Sequence, residues 1–288
     1  MVILNPLHAL ARALALACLC GIGPGTAPAH AATPIMIWPV DPVIAGPQRA
    51  VALWLENRGA EPVSMQVRVF QWRQAEGQDK FEAQREVVAS PPISHIPPGQ
   101  RQMVRLLSTQ PVPARVEQAY RVLVDELPAA APSDAPAPPA PAAPTAPSAG
   151  ASRTPQALPS DAAVAVRLQI RYAIPLFVYG PDTLPQRLAD ARSLVDGTAV
   201  LAPDLSWGIA RAGSASQVVV HNQGTSHARI TSVAWTRSGS PAAPPKDVLN
   251  YVLPHGQMPL DLVAPPSPDH SLTVTVNGRE AQLPRASQ

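Results

Sequence analysis

Proline restricts this chain more than any other residue. It occupies 37 of 288 positions, more than twice the usual share of about 5%, and each one removes a backbone donor and breaks a helix interior. A mainly helical fold is excluded, so the placement of the prolines decides what remains. Three (Pro6, Pro24, Pro28) fall within residues 1–32, nine fall within residues 129–162, and the other 25 punctuate alternating apolar and polar runs. Short alternating runs broken by turn residues read as strands.

Residues 1–32 read as a secretory signal peptide. Arg12 precedes an apolar run over residues 13–22, and Ala29-His30-Ala31 places small residues where a signal peptidase cuts. The run is far shorter than the ~18–20 residues that span a bilayer. Both cysteines, Cys18 and Cys20, lie inside this segment with alanine three positions before each, so lipidation is not expected. The mature chain then holds no cysteine, which removes disulfides and thiolate metal sites.

The charge balance narrows the function. Lys and Arg number 22 against 20 Asp and Glu, a net charge of +2, and affinity for nucleic acid draws on clustered cations. No nucleic-acid partner is expected. His95, His221, His227, His255 and His270 show no metal-ligand spacing and read as turn or surface residues, and no GxSxG motif occurs. No catalytic residue, metal or cofactor is expected, and the protein is read as not an enzyme. Trp38, Trp54, Trp72, Trp207 and Trp235 sit in or beside alternating runs and read as core rather than as a sugar-binding platform.

Seven strands are expected in the first half, near Ile35–Val40, Ala50–Glu56, Val63–Trp72, Phe81–Ala89, Arg101–Leu107, Ala119–Leu127 and Ala163–Val178. That number suggests an immunoglobulin-like sandwich. Residues 129–162, with 9 Pro, 13 Ala and no aromatic residue, cannot bury enough apolar surface to order themselves. They read as a disordered loop between the sixth and seventh strands rather than as a domain linker. The remaining residues echo the first half. The run ending Glu56-Asn57-Arg58-Gly59 recurs as His221-Asn222-Gln223-Gly224, and Ile96-Pro97-Pro98-Gly99-Gln100 recurs as Leu253-Pro254-His255-Gly256-Gln257. The expected fold class is therefore all-β, with two tandem immunoglobulin-like sandwiches over residues 33–180 and 181–288, joined near Tyr179-Gly180-Pro181.

The seventh strand is unusual. Its apolar residues fall at Val164, Val166, Leu168, Ile170, Tyr172, Ile174 and Leu176, with Arg167, Gln169 and Arg171 opposite. A strand this long overhangs its domain, and long apolar edges pair with other chains. Either it lends itself to a partner's sheet, or it simply bridges the two domains. Arg68, Arg101, Arg105, Arg121, Arg167 and Arg171 lie on predicted strands and read mostly as solvated faces.

Several segments together resemble the PapD-like periplasmic chaperones of the chaperone-usher pilus pathway, in forms nearest the archaic branch. They are Val67-Arg68-Val69-Phe70-Gln71-Trp72, the run Ser90-Pro91-Pro92-Ile93-Ser94-His95-Ile96-Pro97-Pro98-Gly99, Met103-Val104-Arg105, Ala119-Tyr120-Arg121 through Glu126-Leu127-Pro128, and Ile174-Pro175-Leu176-Phe177-Val178. The resemblance implies two immunoglobulin-like domains set in an L and a periplasmic protein that is monomeric when free, or loosely self-capped. Its partners would be pilin subunits and an outer-membrane usher. It also implies donor-strand residues Val164, Val166, Leu168 and Ile170, and a candidate usher-contact loop holding Pro91, Pro92, Pro97 and Pro98. The better-known branch holds the pilin carboxylate with basic residues on the first and seventh strands, but Asp41 or Pro42 and Pro175 stand there. Arg121 is the first candidate for that anchor and Arg171 the second, with solvated surface arginines as the alternative. His95 and Tyr179 replace arginines frequent in the family. The alternative function is a secreted two-domain β-sandwich protein that is adhesive or structural in a pilus.

Overall fold

Alternation of buried and exposed side chains requires strands that each bury one face. The computed structural model describes residues 34–128, 169–186, 198–212, 215–237, 240–241, 243–265, 267 and 269–286. The expected signal peptide, the loop 129–162 and the donor positions Val164, Val166 and Leu168 lie outside the described residues.

In the first half, ten strands form two sheets. They are β1 (Ile35–Trp38), β2 (Val43–Ile44), β3 (Ala50–Asn57), β4 (Val63–Ala75), β5 (Gln78–Ala83), β6 (Val87–Ser90), β7 (Ile93–Ile96), β8 (Arg101–Ser108), β9 (Glu117–Leu127) and β10 (Arg171–Tyr179). One sheet runs β1-β3-β8-β6 and the other β2-β10-β9-β4-β5, with β7 also on β4. Leu53, Leu55, Val104 and Leu106 from the first sheet meet Met65, Val67, Tyr120, Val122, Ile174 and Leu176 from the second in one core.

Two expected strands have different bounds in the structure. The first ends at Trp38, because Pro39 and Pro42 interrupt it, and β2 resumes in the opposite sheet, parallel to β10. The expected Phe81–Ala89 strand divides into β5 and β6, which belong to different sheets. The Gln84 side chain fills the gap. Its amide donates to the carbonyls of Val69 and Val87 (both 2.8 Å), and its oxygen accepts from the Val87 N–H (2.8 Å).

The second half adds β11 (Thr183–Pro185), β12 (Ala199–Leu201), β13 (Leu205–Ala212), β14 (Ala215–Asn222), β15 (Ala228–Arg237), β16 (Ser240–Pro241), β17 (Lys246–Val252), β18 (Gln257–Leu260), β19 (Ser271–Val276) and β20 (Arg279–Leu283). β11 and β12 form a parallel pair, β13-β14-β18 form one sheet, and β15 pairs with β16, β17 and β19, with β20 beyond β19. Trp207 and Trp235 meet edge to face at 5.0 Å inside this core. Trp72 is also buried. Trp38 and Trp54 are not core, contrary to expectation. They stack at 6.2 Å on the outward face, since the residues on either side of Trp54, Leu53 and Leu55, point inward.

The sequence echo corresponds to one repeated device. Asn57 Nδ2 donates to the carbonyls of Glu61 (2.8 Å) and Ile96 (2.9 Å), while its Oδ1 accepts from the Gly59 N–H (2.9 Å). Asn222 does the same with Ser226 (2.8 Å), Val252 (3.0 Å) and Gly224 (2.9 Å). These bonds shift the expected alignment by one residue. Ile96 corresponds to Val252 rather than Leu253, and the left-handed position of Gly99 (φ 69) is filled by His255 (φ 57), not by Gly256.

Candidate strand edge and interdomain cleft

β10 turns its two faces to different neighbours. Ile174, Leu176 and Val178 enter the first core with Tyr172 packed against it, while Phe177 and Tyr179 join a separate apolar cluster with Trp72, Leu201 and Leu253. Its two edges also differ. β9 pairs along its whole length, but β2 covers only Phe177 and Val178. From Arg171 to Leu176 the other edge carries no strand among the described residues. Ile170 is partly buried just upstream, and its carbonyl accepts a long bond (3.4 Å) from the Glu126 N–H.

Of the two anchor candidates, Arg171 is committed elsewhere. Arg171 Nε donates to Asp125, which also accepts from Arg68 Nη2 at 2.7 Å. Burial pushes the Asp125 carboxyl up, but the bonds from Arg171 and Arg68 outweigh it and hold it below the usual carboxylate range.

Arg121 stands apart. Tyr120 and Val122 point into the core, so Arg121 faces outward, directly across from Pro175 on β10 and Phe70 on β4. Its Cζ lies 3.8 Å from the Trp72 ring centroid, 5.7 Å from that of Phe81 and 6.0 Å from that of Tyr251 on the second sandwich. Such stacking suits a weakly hydrated guanidinium. Its side chain is 12% exposed, and its only ion-pair contact among the described residues is Asp79 at 3.8 Å. Burial pushes its pKa down and Asp79 pulls it back, and an arginine so placed stays charged.

Glu117, Gln74 and Arg115 make polar contacts that join the sandwiches. Glu117 Oε2 accepts from the hydroxyls of Tyr179 and Ser226 (both 2.6 Å), and its Oε1 accepts from the His227 N–H (2.9 Å), with His227 Nδ1 at 3.0 Å. Burial alone would raise this carboxyl, but His227, Ser226 and Tyr179 together hold it low. Gln74 completes the joint by donating to the Tyr251 carbonyl and accepting from the Leu253 N–H, both at 2.8 Å. The N–H of Arg115, in the loop between β8 and β9, donates to Oγ1 of Thr183, the first residue of β11, at 3.0 Å. His227 also stacks on Phe177 at 3.5 Å. It is a buried interface residue, not the surface histidine the sequence suggested.

Residues 37–138 match the N-terminal domain of PapD, a pili- and flagellar-assembly chaperone. The fold matches a chain of the archaic Csu chaperone–tip adhesion subunit complex of Acinetobacter baumannii, at 25% identity and TM-score 0.65, over 88% of this chain and 100% of that one. The first sandwich thus matches the PapD N-terminal domain, and the chain as a whole shares the fold of a chain from a chaperone-usher pilus complex. The YadV chaperone shares the fold at 17% identity and TM-score 0.51, over 86% of this chain and 99% of the other. So does a chain of the Salmonella enterica complex of SafA pilin with the SafB chaperone, at 17% identity and TM-score 0.50, over 88% and 97%. No curated protein sequence matches the chain significantly.

Pro91, Pro92, Pro97 and Pro98 are all exposed, flanking β7. His95 lies 3.2 Å from Ser64 across the β4–β7 pair. Tyr179 has taken a structural part as a donor to Glu117. Sequence reasoning did not find Glu117, His227, Gln74 or Tyr251. Their partners lie more than a hundred residues away in the chain, and no local motif marks them.

Proposed function

We propose that this chain is a periplasmic chaperone that binds, folds and caps pilus subunits by donor-strand complementation and delivers them to an outer-membrane usher. One observation carries the reading: the open edge of β10 between Arg171 and Leu176. An exposed strand edge is a template for an added strand. Ile174 and Leu176 face the first core, and the same parity runs upstream through Ile170, Leu168, Val166 and Val164. In the complex these four side chains fill pockets in the subunit. At about 1.5–3 kcal/mol for each fully buried side chain, they contribute on the order of 6–12 kcal/mol before ordering costs.

The partner class follows the relatives, one solved with a tip adhesion subunit and another with a pilin. Arg121 receives the subunit's terminal carboxylate at the base of the cleft, because its stacked guanidinium has donors to spare, whereas Arg171 is held by Asp125. Residues 1–32 direct export and are removed. The protein has no catalytic role, and the exposed prolines beside β7 meet the usher.

The test is co-expression with a pilin subunit. Leu168→Asp with Ile170→Asp leaves the chaperone folded and abolishes co-purification of the subunit. Unchanged co-purification would refute donor-strand capture and favour an adhesive or structural two-sandwich protein.

A further inference from the structure

The outward face of the sheet β1-β3-β8-β6 is apolar where solvent favours polar side chains. Leu53, Leu55, Val104 and Leu106 point into the core, so the residues that alternate with them point out, and a sheet with one solvated face normally carries polar residues there. Here the register sets Trp38 beside Trp54 and Trp54 beside Met103, across three adjacent strands. Met36 on β1 continues the patch and is 39% exposed. Beyond the Ala52–Arg105 pair, Leu107 and Val88 extend it to β6, with Val88 41% exposed. Single exposed apolar residues need no explanation, but a patch of them on one face marks an interaction surface.

The charges on this face are one-sided. Arg101 and Arg105 both project from it, both are exposed, and neither has an ion-pair partner among the described residues. Glu56, directly across from Arg101, already accepts from Arg58 Nε at 3.0 Å. Arg101 Cζ lies 5.6 Å from the Trp54 ring centroid, and a guanidinium stacked on a ring keeps its in-plane donors free. Three occupants fit poorly. The two indoles lie within 10° of parallel with centroids 6.2 Å apart, so each turns a face to the other and they offer no open platform for a sugar ring. A second copy would set Arg101 and Arg105 against their own counterparts, since a two-fold interface pairs a patch with itself. An anionic lipid surface is held by clusters of roughly four to eight cations, and this face has only Arg101 and Arg105. Two free guanidinium groups beside tryptophan and methionine are complemented by a polypeptide segment in which carboxylates flank a large apolar residue. Met36 and Met103 can adapt to its shape.

We propose that the outer face of β1-β3-β8-β6 docks an acidic segment of a partner protein, whose apolar side chain packs on Trp38, Trp54 and Met103 and whose carboxylates pair with Arg101 and Arg105. The face belongs to the sheet opposite the one that holds β10. It is therefore separate from the open edge of β10, and it stands whether or not that edge takes a strand.

The test titrates three peptides into the full mature chain. They are N-acetyl-Asp-Leu-Glu-Phe-Asp-amide, its basic counterpart N-acetyl-Lys-Leu-Lys-Phe-Lys-amide, and N-acetyl-Asp-Ser-Glu-Ser-Asp-amide, which keeps the charge and loses the apolar side chains. The readout is the indole N–H resonances of Trp38 and Trp54, assigned from Trp38→Phe and Trp54→Phe. The first peptide is expected to move both resonances saturably, to bind at least tenfold more tightly than either of the others, and to weaken as salt rises. Arg101→Gln with Arg105→Gln should cost it at least tenfold in affinity and leave the melting temperature unchanged, since both side chains are exposed. The proposal is overturned if neither indole responds saturably, if the lysine or serine peptide binds as well, or if the double variant keeps full affinity. Should the double variant fail to fold, the ranking of the three peptides and its salt dependence in the wild type decide alone. If the indoles respond instead to phosphatidylglycerol vesicles, or to a rise in the chain's own concentration, and not to the acidic peptide, the face serves a membrane or a second copy and the proposal is wrong.

Discussion

Replacing Glu117 with alanine tests whether the two sandwiches are held by a buried carboxylate. The side chain is inaccessible to solvent and receives two hydroxyls at 2.6 Å, a backbone N–H at 2.9 Å and a ring nitrogen at 3.0 Å. Removing it strands these groups in an apolar joint beside Phe177 and Tyr179. Breaking a buried charged pair in this way costs about 3–5 kcal/mol. At roughly 2–4 °C per kcal/mol for a chain of this size, the melting temperature at neutral pH should fall by about 6–20 °C. The pH dependence sharpens the test. The folded carboxyl titrates below its ordinary range, so the unfolded state takes up the proton first as pH falls. The contribution is complete above the unfolded pKa and is lost as pH drops through the folded one. Calorimetry at pH 7 and pH 3 should show a large gap between wild type and Glu117→Ala that is smaller at the lower pH. A cost below about 1 kcal/mol at pH 7, the level of an exposed pair, or a gap that ignores pH, would refute the reasoning.

Arg121→Gln should weaken pilin capture at least tenfold while Arg171→Gln changes it less than threefold, read by subunit exchange kinetics; equal losses would point to nonspecific charge. Gly180→Ala should abolish soluble folding or destabilise by more than about 3 kcal/mol, because the added Cβ would lie 1.9 Å from the Pro113 carbonyl oxygen. His255→Gly should stabilise the second sandwich by about 1 kcal/mol in urea titration, since a side chain at φ 57 is strained there.

Most of the fold could be read locally, because a strand that buries one face must alternate. The inward parity of Ile174 and Leu176 was read correctly, although the described strand begins at Arg171 and leaves Gln169 and Ile170 outside it, and Asn57 and Asn222 marked a device that does recur. Sheet membership was harder to read. Gln84 is an ordinary polar residue until its amide replaces missing ladder bonds between β5 and β6, and nothing in Phe81–Ala89 signals the switch. The repeat was misaligned by one position because Gly99 invites a glycine partner, whereas the second turn tolerates His255 in the left-handed region. At the cleft, Arg121 was identifiable as a cation on the sixth expected strand, but its aromatic surroundings were not. Trp72, Phe81 and Tyr251 converge on it from three strands and both sandwiches. Glu117 and His227 were missed for the same reason, since a contact across 110 residues leaves no spacing to read.

The central claim is that β10 and its upstream extension become an inner strand of the captured subunit. Hydrogen exchange of the purified chaperone–pilin complex measures this directly. The account predicts that the amides of Val164, Val166, Leu168 and Ile170 become at least a hundredfold slower on capture than in the free chaperone, together with the open edge from Arg171 to Leu176. If these amides exchange equally fast in the free and bound chaperone, the subunit is held by some other surface and the donor-strand account is wrong.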